Sequence, residues 1–186
     1  MTLTNTEVPG FRAGKWVLDP THSEVGFHVR HMMVSKVRGA FGVKSATLIA
    51  SDNPLDFVLH ATVDAASVNT NLQIRDDHLR SVDFLDVARF PTMEFVSSGA
   101  RVSGDEFLVD GELTIRDVTR SITFQVELGG FGYDTDKVYR AGASAKTTID
   151  REDFGLTWSA TLETGGLMVG KEVTILLELE GFLTEE

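Results

Sequence analysis

From Glu24 to His31 the side chains alternate: Val25, Phe27 and Val29 fall on one face, Glu24, His28 and Arg30 on the other. Alternation with a period of two marks a strand with one face buried. The pattern recurs along the chain. Phe41 to Ile49 alternates more weakly, and Phe57 to Val68 sets Phe57, Leu59, Ala61 and Val63 against Val58, His60, Thr62 and Asp64. Met93 to Val96 reads as a short extended piece. Glu106 to Arg116 gathers Phe107, Val109, Leu113 and Ile115 on one face, and Ser121 to Leu128 gathers Ile122, Phe124, Val126 and Leu128. Tyr139 to Ile149 is rich in Ala, Gly and Thr. Lys171 to Phe182 closes the series, with Val173, Ile175, Leu177 and Leu179 opposite Glu172, Thr174, Glu178 and Glu180. Trp16 to Asp19 opens the folded part and Pro20 turns the chain. Gly129-Gly130 and Gly165-Gly166 mark turns between strands. Eight or so antiparallel strands of this kind build a sandwich or an up-and-down barrel, and closure into a barrel removes exposed edges.

One island breaks the period. Residues 74 to 91 are charged and helix-like, and Pro91 ends them by biasing Phe90 toward an extended conformation. Thr70-Asn71-Leu72-Gln73 has the form of a capping box. Asp76 precedes Arg80 by four residues, the favourable order for a helical ion pair. The spacing predicts a short helix around Arg75 to Asp86 that covers or borders a cavity mouth, with Leu79 and Phe84 anchoring it.

The 186 residues fit one domain, with residues 1–14 as a loose arm (Pro9, Gly10 and Gly14 interrupt it) and residues 15–186 as the folded unit. A formal net charge of −11 excludes a nucleic-acid backbone as partner and disfavours broad electrostatic docking on anionic membranes. There is no cysteine, hence no disulfide framework and no thiolate metal site. Met1 to Lys15 holds no apolar signal core, and no run reaches the ~18 apolar residues of a membrane span. A soluble, cytoplasmic protein with no stable membrane insertion is the expectation.

Chemical motifs are weak. Gly165 to Lys171 has the spacing of a phosphate-binding loop, but Glu172 stands where magnesium needs Ser or Thr, and a strand pattern follows instead of a helix. Asp153-Phe154-Gly155 copies the kinase triplet without its companion loops. Of the five histidines, His22, His28, His31, His60 and His78, no two share a strand face at chelating distance, so no metal is assigned. His22 beside Ser23 lacks a nucleophile elbow and reads as a hydrogen-bonded turn residue. The carboxylates Asp76, Asp77, Asp83 and Asp86 beside Arg75, Arg80 and Arg89 could do acid–base work, but such a cluster is more often a solvated helix face with local ion pairs, and the sequence alone does not decide it.

Together the residues resemble a family. Trp16-x-x-Asp19-x-x-His22-Ser23-x-Val25-x-Phe27 opens like the YceI-like family. Asp64-x-x-Ser67-Val68-x-Thr70 and Arg75-Asp76-x-His78-Leu79-x-Ser81-x-Asp83-Phe84 resemble its most specific signature. Phe90-Pro91-x-Met93-x-Phe95, Gly111-x-Leu113-Thr114-Ile115 and Arg151-x-Asp153-Phe154-Gly155-Leu156 continue it, so that the likeness runs from Trp16 to about Leu179. Arg116-Asp117 replaces a glycine frequent in the family. The resemblance implies an all-β fold: an eight-stranded antiparallel lipocalin-like barrel with a short helical insertion, of bacterial type. It also implies a long apolar lipid in the lumen, a polyisoprenoid or a fatty-acid-like chain, with no catalytic step and no cofactor. It suggests a homodimer.

On that reading the lumen is lined by Val25, Phe27, Val29, His31, Phe41, Phe95, Leu113, Ile115, Phe124 and Val126. Arg75, His78, Leu79, Arg80 and Phe84 form the lid or head-group contacts, with Arg75 and Arg80 as donors to a phosphate. Twelve Phe and five Met would give soft walls, although the same residues could simply fill a barrel core. The alternative function is an enzyme acting on an isoprenoid or lipid ester, with His22, His31 or His78 as base.

Overall fold

The computed structural model describes residues 8–104, 106–160 and 168–184. Ten strand segments form a single antiparallel sheet: β1 (Gly14–Leu18), β2 (Glu24–His31), β3 (Ser35–Phe41), β4 (Val43–Ala50), β5 (Phe57–Asp64), β6 (Thr92–Ser103), β7 (Glu106–Ile115), β8 (Val118–Tyr133), β9 (Tyr139–Asp150) and β10 (Val169–Leu183). They fill eight strand positions of a closed barrel. β10 is flanked on one side by β9. On its other side β1 and β2 follow one another, with Trp16 opposite Leu183 and Phe27 opposite Ile175. β4 and β3 in turn flank β1 and β2, with Trp16 opposite Leu48 and Phe27 opposite Gly39. Sequential pairings from β4 to β10 complete the ring.

The breaks in the two composite strands have local causes. At the first, the Asp19 carboxylate accepts from the Thr21 amide at 3.0 Å and the Thr21 hydroxyl at 2.6 Å, a turn that the Asp-Pro-Thr sequence favours. Ser23 then repairs the ladder with its side chain. Its hydroxyl donates to the Glu180 carbonyl at 3.2 Å and accepts the Glu180 amide at 3.0 Å. At the second break the Gly42 amide donates to Ser67 Oγ at 2.7 Å.

The barrel, with one short α-helix among the described residues, agrees with the expected fold class. Several local expectations are corrected. Ser35–Phe41 is a strand that the hydrophobic pattern missed, because its outward residues are Lys36 and Arg38 and its inward ones include Gly39. β6 runs far past Val96, through a bulge between Ser97 and Gly99. The helix, α1, spans only Gln73–Arg80, and turns continue to Phe90. Its N-cap is Leu72, with no side-chain cap, so the Thr70 capping box does not form. Thr70 is engaged otherwise: its amide and hydroxyl donate to Asp76 Oδ1 at 2.8 and 2.6 Å. Asp76 is buried by that contact and does not pair with Arg80, which reaches Asp77 at 3.1 Å instead. Among the described residues no helix is long and apolar enough to cross a membrane.

The strand ends sort the connections. One end of the barrel carries the β2–β3 hairpin, α1 with its following turns, the β7–β8 turn and the turn at Arg151–Phe154 that follows β9. There Ala65, Val68, Phe84, Leu85, Phe154 and Leu156 are buried, Val68 and Phe154 almost wholly. The other end carries residues 8–13, where Phe11 meets Phe131 edge-on at 6.3 Å and the Arg12 guanidinium lies 3.8 Å from the Tyr139 ring centre.

Candidate ligand cavity

The two walls of the barrel are unequal. On β6, β7 and β8 the inward side chains are large and buried: Phe95, Phe107, Leu113 and Phe124, with Phe95 edge-on to Phe124 at 5.3 Å. On β9 they are Ala141, Ala143 and Ala145, which cannot reach across. Val25, Val29, Val173 and Leu177 on β2 and β10 are only partly covered. The missing volume is a cavity of about 430 Å³, within the usual range of small-molecule sites.

Val25, Phe27, Val29, Phe41, Phe95, Leu113, Ile115, Phe124 and Val126 all line this cavity. His31 does not; it ends β2 opposite Ser35 at the rim. Phe27 lies over Gly39, its cross-strand partner. A Cβ on Gly39 would come 2.5 Å from the Phe27 ring, so the ring's pose needs a glycine there.

Leu79 of the helix and Phe84 of the turns after it reach the cavity, whereas Arg75, His78 and Arg80 do not. The cations are spent on backbone and loop contacts. Arg75 Nε donates to Thr70 Oγ1 at 2.7 Å and its Nη2 to the Thr70 carbonyl at 2.9 Å. Arg80 donates to the carbonyls of Ala66 and Val68, both at 2.7 Å. His78 packs edge-on against Phe84 at 5.1 Å and Trp158 at 4.7 Å, with Nε2 2.9 Å from Asp83. These side chains hold α1 on the barrel, with Leu79 turned to the cavity at that end.

The charged group that does reach the cavity buried is Arg151, which follows β9. Its guanidinium donates to the carbonyls of Leu156, of Gly170 at 2.9 Å and of Val169 at 3.4 Å. Burial pulls its pKa below the ordinary arginine value. An Arg-x-Asp-Phe-Gly run does not announce a buried cation, so sequence reasoning passed it over. The β9 alanines were findable, since Ala141, Ala143 and Ala145 share parity with buried Ile149. Glu94 and Glu180 also border the cavity, but Glu94 is exposed and the Glu180 carboxylate turns to Arg140. Among the described lining residues there is no Ser, Thr, His or Lys. The candidate bases His22, His31 and His78 therefore lie outside it.

Asp19, His22 and Glu180 bring ligand atoms within 4.8 Å of one another. Arg140 bridges two of them: Nη1 is 2.8 Å from both Asp19 and Glu180, and Nε is 2.6 Å from Asp134. His22 Nδ1 lies 3.0 Å from Asp19, the hydrogen-bonded turn histidine expected from the sequence. Thr21, then Arg140 and His22, hold the Asp19 carboxyl far below its ordinary range. Of the phosphate-loop spacing, Gly165, Gly166 and Leu167 fall outside the described residues, while Val169 to Lys171 begin β10.

Known proteins share this architecture. The family described as YceI-like domain matches residues 16–181. A UPF0312 protein of Staphylococcus aureus (strain MSSA476) is 34% identical over 172 residues, covering 91% of this chain and 98% of its own. The solved YCEI protein of Campylobacter jejuni superposes with a TM-score of 0.67 at 29% identity, over 84% of this chain and 90% of that one. BcnA of Burkholderia cenocepacia gives a TM-score of 0.72 at 23% identity, over 88% and 98%. A polyisoprenoid binding domain from Saccharophagus degradans, implicated in plant cell wall breakdown, gives 0.69 at 17% identity, over 91% and 98%. The last two likenesses concern the fold alone.

Proposed function

The chain belongs to the YceI-like family, and from that premise we propose that it binds and carries a long-chain apolar lipid, polyisoprenoid or fatty-acid-like, in the barrel lumen. The observation that carries this reading is the cavity itself: about 430 Å³ walled by Val, Leu, Ile, Phe and Ala side chains. A hydrocarbon chain entering it gains ~25 cal/mol per Å² of apolar area buried, before ordering costs. Such a ligand needs few polar anchors, which suits a lining with one buried cation already satisfied by backbone carbonyls. A neighbour of the same fold is described as a polyisoprenoid binding domain, and a ligand of that class is the one proposed for this lumen. The homodimer that the resemblance implies belongs to the same proposal; light scattering giving a mass near 20.4 kDa would exclude it.

Mass spectrometry of organic extracts from the purified protein should identify the lipid. A fluorescent-lipid titration then tests its place. Phe124→Glu puts an unpaired carboxylate into an apolar wall at a cost of several kcal/mol, about enough to abolish uptake. Phe124→Leu should weaken uptake modestly, and His78→Ala should leave it intact. Uptake should change little with salt, because screening acts on exposed charges. Normal uptake by a folded Phe124→Glu variant would refute the lumen as the binding site.

A further inference from the structure

The outer face of the β2–β3 hairpin is cationic in a chain of net charge −11. Period two puts His28 and Arg30 outward on β2, and Lys36 and Arg38 outward on β3. The register sets Arg30 opposite Lys36 and His28 opposite Arg38. Two strands away, Lys146 projects outward from β9 opposite the exposed Leu176. Among the described residues no carboxylate lies within ion-pair distance of Arg30, Lys36, Arg38 or Lys146. Glu172 and Glu178 on β10 bound the patch at either end. His28 reports the local field: burial first, then Lys36 and Arg38, hold its imidazole below the ordinary value.

The tip of the same hairpin is apolar and strained. Met33 is 66% exposed and Val34 83%. Met32 and Met33 have φ of 51° and 60°, and the Val34 amide closes the turn onto the His31 carbonyl at 3.0 Å. Left-handed backbone at both central turn residues is the place for Asn-Gly, and methionine there is strained. Strain at an exposed apolar tip points to a use outside the fold. At the same end of the barrel Leu72 and Ile74 of the α1 start are exposed, Ile74 by 76%. Protection of a free edge would account for Lys36 and Arg38, since β3 is the last strand of the sheet. It accounts neither for Arg30, on an inner strand, nor for the methionines.

We propose that this hairpin is a docking surface for an anionic lipid bilayer. Met32, Met33 and Val34 enter the interface, while Arg30, Lys36 and Arg38 meet the head groups. Docking sets the helix-covered end of the barrel against the membrane. The inference deepens the lipid-carrier reading, and rests on it only for what is exchanged there. Arg30 and Lys36 adjoin the tip and Arg38 lies two residues beyond Lys36, so these three stand nearest the head groups; Glu172 beside Arg30, and Asp77 and Asp83 at the same end of the barrel, oppose them, and salt screens both signs.

The test is co-sedimentation with vesicles of phosphatidylcholine alone and with added phosphatidylglycerol, alongside fluorescent-lipid uptake in vesicle-free solution. The wild type should bind the anionic vesicles, and 0.5 M salt should release it. Lys36→Gln with Arg38→Gln should lower vesicle binding roughly 25-fold, at about fivefold per cation, while Lys15→Gln at the opposite end changes nothing. Met32→Asn with Met33→Gly should raise Tm by about 2 °C through relief of the turn, yet weaken vesicle binding severalfold. Both double variants should keep normal lipid uptake. Vesicle binding unchanged in either double variant overturns the proposal, as does wild type that self-associates through this face and ignores vesicles. Wild type that binds anionic vesicles but takes up no lipid would sink the carrier reading and leave the docking surface standing.

Discussion

Arg151 shows how a single residue can be structural in the middle of a candidate binding site. Buried beside an apolar cavity, it supplies donors to the carbonyl of Leu156 after β9 and to those of Val169 and Gly170 at the start of β10. Arg151→Met removes those donors and leaves buried acceptors unpaired, at a cost of about 2 kcal/mol. In a chain of this size Tm should fall by about 4–8 °C. A thermal melt that does not move would show that water replaces the guanidinium without loss. Residue types at single positions were the least legible part of the sequence. Thr70 and Gln73 carried the right letters for a capping box, but Asp76 outcompeted the helix N-terminus for the Thr70 hydroxyl. Arg75 and Arg80 had the right chemistry for a phosphate, yet the nearby carbonyls claimed their donors. Partner choice of this kind is settled by tertiary neighbours, which spacing along the chain does not encode.

Elements were easier to read, because burial imposes a period. β2, β7 and β10 appeared as alternating runs close to their observed bounds, and the inward faces of β2, β6, β7 and β8 fell on the lumen as parity required. β3 escaped because lysine, arginine and glycine dilute its alternation. β9 was legible as a strand, but what it does to the barrel is an element-scale effect: its alanines keep the lumen hollow. Ala143 faces the lumen between Leu128 on β8 and Leu179 on β10. Ala143→Leu should therefore fill space without a clash, raise Tm by about 2–4 °C, and lower lipid uptake. A fall in Tm would mean that the observed space is not available to a side chain there.

At the scale of the whole molecule, the junction of β1, β9 and β10 is tied by charge. Arg140 joins Asp19, Asp134 and Glu180. Hydrogen bonds hold Asp19 and Asp134 below the ordinary aspartate pKa of 3.8; Thr21 leads for the first and Arg140 for the second. A carboxyl with a depressed folded pKa binds its proton more weakly folded than unfolded. Its stabilisation is complete above the ordinary value and is lost as pH falls below it. Arg140→Gln should thus be less stable than wild type at pH 7, and the gap in urea midpoint should shrink by pH 3. A gap constant across that range would remove the linkage. The closed ring was foreseeable, since so many amphipathic strands need their edges covered. The seam where it closes was not, because pairing between distant strands leaves no mark on either one.

That seam sets the order of events in folding. β1 can meet β4 as soon as the first fifty residues exist, but its other edge waits for residues 181–183. During synthesis the sheet must grow as an open, curling ribbon, and the ring locks only when β10 has been made. Contacts between such distant parts of a chain carry a large loop-closure cost, so closure should be the slow step. Until then β1 presents an unpaired edge to every other nascent chain nearby. The same geometry sets β1 and the end of β10 side by side. A circular permutant that joins the ends through a linker and opens after the exposed Gly104 would rebuild the same ring, with its last closure moved to a different pair of strands.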